Sequence, residues 1–250
     1  TARAVVAETA SSWRELYQAG GISAALFVVL TIIAIVLDRI VPPPIAGGIA
    51  TLEFIAANRT TYILEQILWL APGIFAMIVF LALYPALKPL NQSYAALGAL
   101  IGVAAWALTL AIPTTTRGAP ALVYLSDQYV TATDAAQRVV FATAAEALIA
   151  QNNTPNIVGI LTPVGILILS LVMMKGVFPK SVAYLGILTG TLGILCEALR
   201  FILPAGYVVY GLFLLIWFGV IGWKLYWLDT PVARLAISQG SRVVKSKVLR

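Results

Sequence analysis

An all-α polytopic membrane bundle of about six transmembrane helices, covered by a small outer helical cap, is the fold class this sequence predicts, on three observations. Hydrophobic residues make up 61% of the 250 and charged ones only 10%, against roughly 25% charge in an ordinary soluble domain, and the mean hydropathy is +0.96. Six stretches are each apolar over about 20 residues, the length a helix needs to cross a bilayer. Strand-like alternation of polar and apolar residues is absent, which argues against a β-barrel.

The spans are expected at about 21–41, 61–87, 94–113, 155–174, 181–203 and 205–227. Before the first, Ser12 and Glu15 have capping-box spacing, so an interfacial helix within 1–20 is expected to begin there, with Trp13 and Tyr17 at the membrane surface. The second span carries Glu65 and should kink at Pro72, which has no backbone donor. Lys88–Ser93 forms a tight link to the third span, and Lys175–Lys180 turns the fourth into the fifth. The outer loop 114–154 should hold one helix, capped by Thr133 or Asp134 and reaching about Gln151. Its packed side is expected to carry Ala136, Val140, Ala144, Ala147 and Leu148, with Arg138 and Glu146 off that side. A shorter helix at about 51–58 completes the cap.

Orientation follows from Lys and Arg. With the amino end cytoplasmic, eleven of the 16 fall on inner segments, and Arg39, Arg59, Arg117 and Arg138 fall outside. That bias favours both termini in the cytoplasm. The tail 228–250 is basic through Arg234, Arg242, Lys245, Lys247 and Arg250, and such a segment is drawn to anionic lipid.

Two patterns suggest interior faces. On the fifth span, Gly186, Gly190, Gly193, Glu197 and Arg200 recur on one helical stripe, and small residues there let a neighbouring backbone come close. Gly98 and Gly102 on the third span have GxxxG spacing, read as intramolecular packing in preference to a homo-oligomer face. Glu65, Glu197 and Arg200 should all lie in the outer half of the membrane. They form a candidate buried polar cluster, read either as a register-fixing ion pair or as a pocket for a small ligand. On the sixth span Tyr207, Tyr210, Trp217, Trp223, Tyr226 and Trp227 could stack a pigment, although the terminal ones read as interfacial belt residues.

The chain has no histidine and a single cysteine, Cys196. That removes the usual general base, the commonest metal ligand and any internal disulfide. No Walker-type phosphate loop is present, and no lysine lies deep enough in a helix for a retinal Schiff base. No cofactor, metal site or nucleic-acid partner is implied.

Two segments carry a resemblance: LALYPALKPLNQSYAALGALIGVAAW from Leu81 to Trp106, and MKGVFPKSVAYLGILTGTLGIL from Met174 to Leu195. With the Tyr17–Gly21 entry, they are similar to a bacterial family of six-helix membrane proteins known only as a domain of unknown function, over about Trp13 to Trp227. The resemblance implies six spans in a bacterial cytoplasmic membrane and brings no activity and no functional residues. From the residues themselves, the expected role is a non-catalytic membrane subunit or scaffold packed against other membrane subunits. The alternative is a carrier or receptor that binds a small amphipathic ligand in the outer-half pocket.

Overall fold

The computed structural model describes residues 2–228 apart from 45, 113, 114, 116, 117, 156 and 204. The basic tail, with Arg234, Arg242, Lys245, Lys247 and Arg250, therefore lies outside the described residues. Among the described residues ten helices follow in order: α1 Ala2–Ile40, α2 Gly48–Ala57, α3 Arg59–Leu70, α4 Pro72–Leu87, α5 Gln92–Ala111, α6 Ala121–Thr131, α7 Ala135–Asn153, α8 Ile157–Met173, α9 Lys180–Ala198 and α10 Gly206–Tyr226.

Among the described residues five stretches are long and apolar enough to cross a bilayer: Trp13–Ile40, Arg59–Leu87, Gln92–Ala111, Lys180–Ala198 and Gly206–Tyr226. The chain is a multi-pass membrane protein. The expected fourth span is present as α8, at 17 residues the shortest of the set, or about 25 Å of helix.

These helices form a ring. α1 packs on α4, α4 on α5, α5 on α8, α8 on α9, α9 on α10, and α10 returns to α1. The ring encloses an aromatic centre in which Phe27 stacks on Phe218 with ring centroids 3.9 Å apart, and Trp217 meets Phe218 edge-on at 5.2 Å. Association of helices in lipid gains nothing from water expulsion and relies on close shape, and glycines supply that closeness here. A Cβ on Gly102 would overlap the Phe80 ring, and one on Gly165 would lie 3.0 Å from the Gly102 nitrogen. α5 and α8 therefore touch almost backbone to backbone, and Gly98 meets Leu169 of the same helix. On α9, Gly186 faces Ser170 and Trp217, Gly190 faces Leu167, and Gly193 faces Tyr210 and Pro163, so its stripe admits α8 on one side and α10 on the other.

A second, smaller core caps one end of the ring. Leu52 and Ile55 of α2, Tyr62 of α3, Leu122 of α6, and Ala145 and Ile149 of α7 bury one another. Directional bonds hold it. The Ser126 hydroxyl donates to Leu52 O at 2.7 Å, and the Gly48 amide, at the start of α2, donates to Glu146 Oε2 at 2.6 Å. The carboxylate thus satisfies one of the donors that a helix start leaves open. Arg59 pairs with Asp127 at 2.9 Å.

Three expectations need correction. α1 runs unbroken from Ala2 through Ser12, so the capping-box residues start no helix: the flanking residues on both sides are themselves helical. Tyr17 of the same helix is 1% exposed within the ring core. The loop 114–154 holds two helices, α6 and α7, where one was expected. α7 also turns a different face inward. Ala142, Ala145 and Ile149 are buried, whereas Val140 is 64% exposed, because Glu146 reaches α2 and Gly48 lies against the Ala142 carbonyl. Two local expectations hold: Pro72 separates α3 from α4, and the Asp134 side chain caps α7 by accepting from Ala136 N at 3.1 Å.

Candidate functional site

Charged side chains buried inside a membrane bundle are costly, so they mark where to look. Glu197 is 0% exposed in the last turn of α9. Three residues on, Arg200 sits past the helix end, because α9 stops at Ala198; the expected stripe reaches Glu197 but not Arg200. From that turn the guanidinium bends back to Glu197 Oε1 at 3.4 Å. It also donates to Asn152 O at 2.9 Å and Thr154 O at 3.4 Å, the carbonyls at the end of α7, and lies 4.7 Å over the Tyr207 ring of α10. One arginine thus joins α9, α10 and the α7–α8 connection. Gly159 on α8 leaves the room for the Glu197 carboxylate, since a Cβ there would be 2.5 Å from it.

Asn152, whose backbone carbonyl holds the guanidinium, also carries a buried side chain. The residue is 8% exposed and neither its amide nitrogen nor its oxygen has a hydrogen-bond partner. Sequence reading had no signal for it, as one asparagine among the polar residues before Pro155 is unremarkable.

Glu65 lies elsewhere. It is 1% exposed on α3, a helix that packs on α1, α2 and α4, whereas α9 packs on α8 and α10. The structure therefore joins Glu197 with Arg200 and assigns Glu65 to different neighbours. Those neighbours are polar. Tyr62, one turn earlier, donates to Ala119 O at 3.3 Å and accepts from Ala119 N at 3.2 Å, and Gln66 Oε1 accepts from the Thr115 hydroxyl at 3.1 Å. Gly118, at φ +142°, lies flat against the Tyr62 hydroxyl, where a Cβ would collide. Asp38 of α1 is 4% exposed, and the register places it at this level. Gly20 of α1 meets Ala82 of α4, and eighteen residues up one helix and down its antiparallel neighbour bring Asp38 opposite Leu64. The two acids were visible in the sequence; their shared level was not, since it depends on the register of α1 against α3 and α4.

The family described as Domain of unknown function (DUF4386) matches residues 22–228. The chain belongs to that family. The DUF4386 match runs from the first turns of the membrane part of α1 to Leu228 and so includes the whole ring, the cap and both polar corners. No curated protein and no solved structure matches the chain. Among the described residues of this DUF4386 member, no group of three or more Cys, Asp or Glu side chains is arranged to hold a metal ion. What the Glu197–Arg200 corner can do is balance charge and fix helix ends. Both members are buried, with side chains 0% and 10% exposed, and the guanidinium is engaged on several sides at once.

Proposed function

We propose that this chain is a non-catalytic integral membrane subunit, or scaffold, of a larger assembly in a bacterial cytoplasmic membrane, with both termini in the cytoplasm. One observation carries the subunit reading. Among the described helical glycines, those of the ring lie against a neighbouring helix, except Gly211 and Gly219 on α10, where a Cβ would meet nothing within 4 Å. They lie two turns apart on one face, bordered by the exposed Leu212 and Ile216. Glycine in a helix interior costs about 0.5–1 kcal/mol relative to alanine, and an open glycine face in lipid suits the close approach of a helix from another chain. The orientation rests on charge: Lys88, Lys175, Lys180 and Lys224 all flank the end of the ring opposite the cap, and the basic tail adds to that side.

The test is extraction from native membranes in mild detergent, followed by mass measurement of the intact complex. The chain is expected to travel with other polypeptides and to lose them when Gly211 and Gly219 are both changed to Leu, with its own thermal midpoint retained. A lone monomer from native membranes sinks the reading.

The Asn152 side chain favours a second reading, a carrier or receptor for a small amphipathic ligand. A buried amide with no partner, on a residue whose backbone carbonyl holds Arg200, is the kind of group a ligand completes. Asn152→Leu would then abolish ligand binding and leave assembly intact.

A further inference from the structure

At the end of the ring opposite the cap, the turn between α8 and α9 and the last turn of α10 enclose a groove of about 480 Å³, lined by Val177, Phe178, Pro179, Trp223, Lys224, Trp227 and Leu228. Its size falls in the ordinary range for small-molecule sites. Three features set it apart from a chance crease between helices.

First, among the described residues its walls combine apolar surface with one cation, Lys224, and Lys175 and Lys180 stand exposed on the same short turn. Second, Trp223 and Trp227 are each 65% exposed yet held edge to face, ring centroids 5.9 Å apart, with Tyr226 against Trp227 at 5.3 Å. An indole pair at the level where helices leave the hydrocarbon presents an apolar body and an N–H donor at headgroup depth. Third, Val177 on the rim has φ +69°. A β-branched residue in that region is a true backbone outlier, and such strain collects at ligand-binding sites.

We propose that this groove binds the headgroup of one anionic phospholipid, with Lys224 taking the phosphate, Lys175 and Lys180 adding to the field, and the Trp223–Trp227 pair clasping the glycerol region. The apolar floor of Val177, Phe178 and Leu228 accepts the first carbons of the acyl chains. The proposal stands independently of any protein partner, because nothing in the groove involves Gly211 or Gly219.

The experiment uses the full-length chain, delipidated in detergent and titrated with phosphatidylglycerol or phosphatidylcholine of identical acyl chains, bound lipid being counted by native mass spectrometry. The wild type is expected to retain one phosphatidylglycerol in preference to phosphatidylcholine. Lys224→Gln should lower phosphatidylglycerol affinity about fivefold, the usual effect of one lysine near an anionic surface, with no change for phosphatidylcholine. Lys224→Arg should keep the preference. A variant with Arg234, Arg242, Lys245, Lys247 and Arg250 all changed to Gln should still hold the single lipid, which separates the groove from attraction by the tail. Equal retention of both lipids by the wild type overturns the proposal. So does a Lys224→Gln protein, folded by its thermal midpoint, that binds phosphatidylglycerol as before, or a preference that disappears with the tail charges. Should Lys224→Gln fail to fold, Lys180→Gln gives the same reading at an exposed position, with a smaller loss expected.

Discussion

The ring and its cap are built on opposite principles. In the ring, contact is made by removing atoms: Gly102 yields to Phe80, Gly165 to α5, Gly186 to Ser170 and Trp217, and the centre is a stack of aromatic rings. In the cap, contact is made by aiming donors at acceptors: Ser126 at Leu52 O, the Gly48 amide at Glu146, Arg59 at Asp127. Between helices in lipid, apolar burial gives no net drive and fit decides. The short cap helices instead gather around a small hydrophobic centre with well-aimed bonds about it.

The comparison can be broken at its seam, where Arg200 ties a ring helix to the last carbonyls of the cap. Glu197→Ala leaves a nearly buried guanidinium without its carboxylate and is expected to cost about 3–5 kcal/mol, read as a lowered midpoint of unfolding in detergent. Adding Arg200→Ala should recover part of the loss, since the uncompensated charge goes with it. Independent, additive losses would show that the two residues do not act as a pair.

Within the ring, Gly102→Ala should cost about 1–3 kcal/mol by overpacking against Phe80, and Phe80→Leu in the same chain should restore most of it. The effect should be indifferent to salt and pH. If Gly102→Ala is neutral, shape is not what holds α5 to α4 and α8.

The smallest effect belongs to the cap. The Arg59 guanidinium hydrogen-bonded to Asp127 holds that carboxyl below its ordinary value of 3.8. A depressed acid contributes stability that is present above its unfolded value and lost as pH falls through the folded one, so this contribution fades only below about pH 3.8. Both side chains are about half exposed, so the contribution is small and screened by salt. Asp127→Asn should flatten the acid limb of the stability profile at low ionic strength and do nothing measurable at high salt. An unchanged acid limb would assign it to other carboxylates.

Legibility in the sequence followed the same division. Ring helices announced themselves because hydrocarbon demands long uncharged runs, and the Pro72 break and the Gly98–Gly102 pair could be read because missing donors and missing side chains are local properties. The cap was harder. α6 is short and mixed in composition, with Leu122 buried in the core and Val123, Leu125 and Tyr129 only partly buried against it. The buried face of α7 was set by Glu146 reaching ninety-eight residues back to Gly48, which no local period records. Glu65 was placed with Glu197 and Arg200 because all three were expected at one depth; depth says nothing about azimuth around a ring, and that is where they differ. Arg200 slipped off its stripe for a simpler reason, α9 ending at Ala198, five residues before the apolar run does.

Closure of the ring by α1 against α10 has a bearing on how the chain is made. A ribosome delivers α1 first among these helices and α10 last, so the groove at Gly21, which Tyr226 and Gly222 fill in the finished molecule, stays open to acyl chains or to the insertion machinery throughout the synthesis of everything between. Assembly of the bundle is therefore gated by its final crossing, and a ribosome stalled before that point would leave a five-membered arc with a glycine-lined seam exposed, a form that membrane quality control could recognise.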